Sequence, residues 1–96
     1  MIIETPYKET DTITIKTTAG EELVARFVEE DANTITVQKP LALVASPQGV
    51  GLGPWTITIN PEAKIKINKS GCLVIHKTDG EMAKQYVQNT TGIQMA

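Results

Sequence analysis

The chain has 96 residues, the length of one domain, with 41% hydrophobic side chains and a net charge of −2. Its pI near 5.3 argues against a strong nonspecific nucleic-acid binder, which would be basic. One cysteine, Cys72, excludes an intramolecular disulfide and any Cys-rich metal site.

Met1 to Pro6 lacks the basic start and long apolar run of a signal peptide, and no apolar run reaches membrane-spanning length. The expectation is a soluble cytoplasmic protein with no membrane partner. A chain this short buries a modest core, so oligomerisation is also expected. Charge is uneven: residues 1–31 carry eight acids against three bases, and residues 32–96 carry six lysines against three acids. A local basic surface therefore remains open.

Residues 1–11 read as a polar lead-in. From Ile13 to Val37 apolar residues recur at every second position: Ile13 and Ile15, then Leu23, Ala25 and Phe27, then Ile35 and Val37. Two polar breaks separate them, at Thr18 to Glu21 with Gly20, and at Glu30 to Asn33. This pattern predicts a three-stranded antiparallel meander with one buried face. Val24 and Val28 on the second strand suggest cover on its other face too.

Thr34 to Ser46 reads as the third strand, interrupted at Pro40, which lacks a ladder donor and marks a strand end, bulge or edge. Leu41 to Ala45 is continuously apolar, which suits burial on both faces or a subunit contact. Ser46 to Pro54 has three glycines and two prolines and reads as a loop. Trp55 to Ile59 is the expected fourth strand, with Trp55, Ile57 and Ile59 inward. After a turn at Asn60 to Ala63, Lys64 to Asn68 is the fifth, with Ile65 and Ile67 inward and Lys64 and Lys66 outward. Cys72 to His76 is a short sixth strand or an extension.

The period then changes. Thr78 to Glu81 fits a capping box, and Met82, Ala83, Tyr86, Val87 and Asn89 follow helical spacing. A helix is expected over about 79–89, ended by Gly92.

Short, strongly bent antiparallel strands with this turn pattern resemble the Sm-like fold, the small barrel of Sm, LSm and Hfq proteins. The family's first motif has a Gly turn, then Leu three residues on, a small residue at five, an apolar one at seven and Asp at eleven. Gly20, Leu23, Ala25, Phe27 and Asp31 match it without a gap. Trp55 to Ile59, then Ile65 and Ile67, match the last two barrel strands more loosely. The resemblance covers about residues 12–68. The phrases E-E-D-A-N-T-I-T-V-Q-K-P-L-A-L-V and G-L-G-P-W are also similar to small Sm-like proteins of marine tailed phages. The helix departs from the pattern, because Sm-like proteins carry theirs before the first strand.

The resemblance implies a mainly β fold: one domain over 1–96, with a five- to six-stranded antiparallel barrel over about 12–76 and a C-terminal helix. It implies a homo-oligomeric ring closed by strand edges, with Trp55, Ile57, Ile59, Ile65 and Ile67 at the subunit interface. Family rings bind RNA at the turns after strands two and four. This puts Asp31, Asn33, Asn60 and Lys64 at a single-stranded RNA site. Ala32 and Asn33 stand where Hfq-like proteins have Gln and an aromatic, so the stacking ring is absent. The second turn contains Glu62 where a basic group is usual.

Bland readings stand beside these. Asn33 and Asn60 are common turn formers. Alternating Lys64 and Lys66, with Lys69, suit a solvated strand face or edge protection. Gly49 to Gly53 lacks a P-loop lysine or dinucleotide fingerprint. His76 has no metal-ligand spacing, and no nucleophile–base–acid set supports an enzyme. The expectation is a non-enzymatic, RNA-associated ring without cofactor, metal or small-molecule substrate. The alternative is a ring for protein–protein assembly that binds no RNA.

Overall fold

A computed structural model describes residues 6–91. Six antiparallel strands form one sheet, followed by one helix: β1 (Thr12–Thr17), β2 (Glu22–Glu30), β3 (Thr34–Ser46), β4 (Gly49–Pro54), β5 (Ile65–Asn68), β6 (Cys72–Lys77) and α1 (Gly80–Thr91). The strand order is β4-β3-β2-β1-β6, with β5 also on β3. A 3₁₀ turn, Lys69–Gly71, joins β5 to β6.

The alternation in the first three strands does what a period of two demands. Ile13, Ile15, Leu23, Ala25, Phe27, Ile35 and Val37 form the buried cluster, and Trp55, Ile65, Ile67 and Ile75 pack against its margin. Gly20 turns the chain at φ 98°, a left-handed conformation that glycine adopts without a Cβ clash. Val24 is buried as well, so β2 is covered on both faces there. Helix α1 lies against β1 and β2.

β3 carries the largest departure from regular geometry. One edge pairs with β2; the other pairs with β5 over Thr34–Val37 and with β4 over Leu41–Ser46. Between these halves Lys39 takes φ 52° and the β2–β3 register shifts. Pro40 therefore marks a bulge, not a break. The 55–61 segment fits into the gap along this edge: Trp55 N–H donates to the Pro40 carbonyl at 3.4 Å and Lys39 N–H to the Pro61 carbonyl at 3.2 Å.

Several expectations are corrected. The glycine-rich segment is not a loop but strand β4, and Trp55 to Ile59 is not a strand. Pro47 and Gln48 form a two-residue tip, so the local β3–β4 hairpin closes cheaply and takes the edge of β3. Pro54 ends it, lacking an N–H. Ile57 is then 87% exposed instead of inward. Leu41 to Leu43 are half-buried and Val44 and Ala45 exposed, so this run is not covered on both faces. Thr78 does not cap: its hydroxyl pairs with that of Thr14 at 2.9 Å, and Ala83 N–H donates to the Asp79 carbonyl, which makes Asp79 the cap residue. The stop expected at Gly92 lies outside the described residues. The sheet is also not closed into a barrel: among the described residues no ladder joins β5 to β6.

Candidate functional site

The turn between β2 and β3 is built on Asp31. One carboxylate oxygen accepts the N–H of Asn33 at 2.8 Å and of Thr34 at 2.7 Å; the other accepts the Thr34 hydroxyl at 3.1 Å. These donors, Asn33 first, lower the Asp31 pKa below the ordinary carboxylate value, with a smaller contribution from Lys66. Asp31 is thus committed to shaping its turn. A carboxyl with a lowered folded pKa contributes stability above its unfolded pKa of about 4 and loses it as pH falls through the folded value. Thermal unfolding across acidic pH should show Asp31→Ala less stable at neutral pH and with a flatter acid limb. An unchanged acid limb would remove this role.

The same turn is tied to the far end of β5. Lys69 N–H donates to the Asn33 carbonyl at 2.8 Å, and the Lys69 ammonium lies 2.7 Å from Glu30 Oε1. Asn33 is exposed, as is Lys66, which sits among Glu29, Glu30, Asp31, Thr34 and Thr36 around a polar hollow of about 220 Å³. Carboxylates outnumber ammoniums there. Tyr7, which feels the charges of Glu30 and Lys69, donates its hydroxyl to the Ile75 carbonyl at 3.1 Å and has its ring 5.4 Å from that of Phe27.

Asn60 and Lys64 lie at the opposite end of β5. Asn60 Oδ1 accepts the Glu62 N–H at 2.8 Å, closing its own turn. Lys64 precedes Ile65, which pairs with Val37, whereas Asn68 pairs with Thr34 beside Asn33. Four strand residues separate the ends, roughly 13 Å at about 3.3 Å each. The four residues assigned to one RNA site are therefore two pairs at two ends of a strand. Lys69 is the basic residue that meets Asn33, and it is reached by counting β5, not the 55–59 segment, as the strand before the second turn.

The expected interface residues also divide. Ile65 and Ile67 are half-buried on β5, packed on the core. Trp55 is half-buried, with its indole N–H donating to Glu21 Oε1 at 3.2 Å. Ile57 and Ile59 lie off the sheet, 87% and 40% exposed. Leu73 and Val74 on β6, which sequence reasoning did not single out, are 66% and 51% exposed. Their adjacency to Ile75 in a three-residue apolar run was the available signal.

Cys72 is half-buried, and burial raises its thiol pKa, with Lys69 opposing. Among the described residues no group of three or more His, Cys, Asp or Glu side chains could hold a metal ion, and no helix is long and apolar enough to cross a membrane. No protein-family model and no curated protein matches the chain.

Proposed function

We propose that this chain is a non-enzymatic, Sm-like subunit that assembles with copies of itself into a ring serving protein–protein assembly. One observation carries the reading: two open strand edges that are consecutive in sequence. β5 and β6 end the path β5-β3-β2-β1-β6, yet only the Lys69–Gly71 turn separates them. End strands linked by so short a turn leave one edge each beside the seam, with the Ile75 carbonyl on the β6 edge already accepting the Tyr7 hydroxyl. Unpaired edges are templates for another strand. A ring in which each β5 meets the next copy's β6 satisfies both. On this count β5 stands where the family has its fourth strand, and the β3–β4 hairpin is an excursion before it. The contact that the resemblance put at Trp55, Ile57, Ile59, Ile65 and Ile67 then moves to the edges Ile65–Asn68 and Cys72–Lys77.

A second reading, RNA binding, is favoured by the bond from Lys69 N–H to the Asn33 carbonyl, which joins the two turns that carry RNA in the family. Against it, Glu30 holds the Lys69 ammonium, and among the described residues no aromatic side chain lines the hollow beside that turn. Each missing stacked base forgoes roughly 1–3 kcal/mol.

Light scattering on the purified protein, with absorbance at 260 and 280 nm, tests both readings. The expected mass is several times that of one chain, without nucleic acid. The double substitution Leu73→Glu and Val74→Glu should reduce it to a single chain. Val74 lies opposite Lys16, so a carboxylate there suits the isolated fold. Ile57→Asp should leave the mass unchanged. A mass that survives the double substitution removes β6 from the contact. Nucleic acid that co-purifies, and is lost in Asn33→Ala at unchanged mass, would transfer the function to RNA.

A further inference from the structure

The bulge in β3 opens a second site that the ring reading does not use. A groove of about 290 Å³ lies between this bulge, the 55–61 segment and the Asn89–Thr90 end of α1. Its apolar lining is Pro40, Leu41, Pro54, Ile59 and Pro61. No charged side chain occurs anywhere in residues 40–61. The charges stand just outside that run, at Lys39 and Glu62, and both line the groove.

These two charges pair with each other, and a third stands close by. Glu62 is approached by the Lys39 ammonium at 3.3 Å and by Arg26 Nη2 at 3.9 Å. Two cations approach one carboxylate, and Arg26 stands outside the lining, so an anion that takes Lys39 would leave Glu62 to Arg26. The Lys39 side chain is only 12% exposed, whereas that of Glu62 is 62% exposed and can give way to another anion. The Lys39 backbone is held in the left-handed region by Pro61 and by Tyr86, whose hydroxyl donates to the Lys39 carbonyl at 2.7 Å. Strain of this kind, held by surrounding contacts, is concentrated at ligand sites.

We propose that this groove binds a small amphiphile, a short unbranched hydrocarbon chain ending in one carboxylate. The chain lies on the proline and leucine lining, and the head meets Lys39 in place of Glu62. The volume is at the small end of ligand sites. A peptide is a poorer fit, because its amides would be desolvated against an apolar lining with few partners. The site lies within one chain, so it stands or falls independently of the ring.

Calorimetric titration with octanoate, and with octanol as the neutral chain of equal length, tests the proposal. Saturable octanoate binding is expected, tighter than octanol by roughly tenfold, the scale of one charge-assisted hydrogen bond. Amide NMR shifts should centre on Leu41, Ile59 and Thr90. Lys39→Met, which keeps the stem, should abolish the preference for the acid. Glu62→Gln, which leaves Lys39 in place, should tighten octanoate and leave octanol unchanged. Equal binding of acid and alcohol, unsaturable uptake, or a preference that survives Lys39→Met would each overturn the assignment. If Lys39→Met does not fold, octanoate affinity unchanged by Glu62→Gln overturns it alone.

Discussion

Replacing Ile15 with alanine is expected to destabilise the protein by about 3–4 kcal/mol, within the range for removing a buried aliphatic side chain. Ile15 is fully buried on β1, between β2 and β6. It faces Leu23 on β2 and Ile75 on β6, so its loss leaves a cavity between three strands. Ladder hydrogen bonds on both sides hold those strands apart, and the site cannot collapse to fill the void. Domains of this size have about 5–15 kcal/mol in total, so the variant would fold only marginally. Chemical denaturation at fixed protein concentration should lower the midpoint with little change in slope. A loss below about 1 kcal/mol would mean that the core is more plastic than its burial implies.

The second large effect belongs to Tyr86. It is the one helix residue described as buried, at 2% exposure, and its hydroxyl donates to the Lys39 carbonyl at 2.7 Å. A 12-residue helix is marginal in water without tertiary contacts. Tyr86→Ala should therefore release α1 as a unit, with hydrogen-exchange protection lost over 80–91 while β1, β2 and β3 keep theirs. Tyr86→Phe should cost about 1–2 kcal/mol, because it leaves a carbonyl of the bulge without its donor. Burial pushes the Tyr86 pKa up to about 12, with Arg26 opposing. A phenol whose folded pKa lies above its unfolded value of about 10 stabilises the fold below pH 10 and stops doing so as pH rises toward 12. Stability should fall across that window in the wild type. The fall should be smaller in Tyr86→Phe, where Tyr7, also raised, remains. Identical alkaline limbs would mean that Tyr86 does not report on helix docking.

Much of the fold was legible because its signals are local. Alternation over Ile13 to Val37 named all seven residues of the buried cluster, since a period of two decides which side chains share a sheet face. The bounds of β3 were legible because Asn33 and Ser46 border turns. The 55–59 segment misled for the same reason that the others succeeded. Its alternation is real, but β3 has one free edge there, and a hairpin closed through a two-residue tip occupies it. Local pattern states what a segment can do and not which segment wins a shared edge.

The candidate site was legible residue by residue and illegible as an arrangement. Asp31 and Asn33 were placed correctly in the β2–β3 turn. Their partner is Lys69, across the β3–β5 ladder, because the antiparallel register puts Asn68 beside Thr34 and carries Lys64 to the other end. Lys39, Glu62, Arg26 and Tyr86 gave no sign of belonging together. They stand up to 60 positions apart in the chain, and only the bulge at Lys39 and the docked helix bring them to one place.

By itself the sequence determined the mainly β class, the buried face of the first three strands, the turns at Gly20 and Asp31, and the C-terminal helix. Each depends on periodicity or turn chemistry within about a dozen residues. Tertiary structure alone decided which strand took the second edge of β3, where the sheet was left open, and which charges met around the groove. Those are outcomes of competition and register between distant segments, and a one-dimensional pattern carries no term for either.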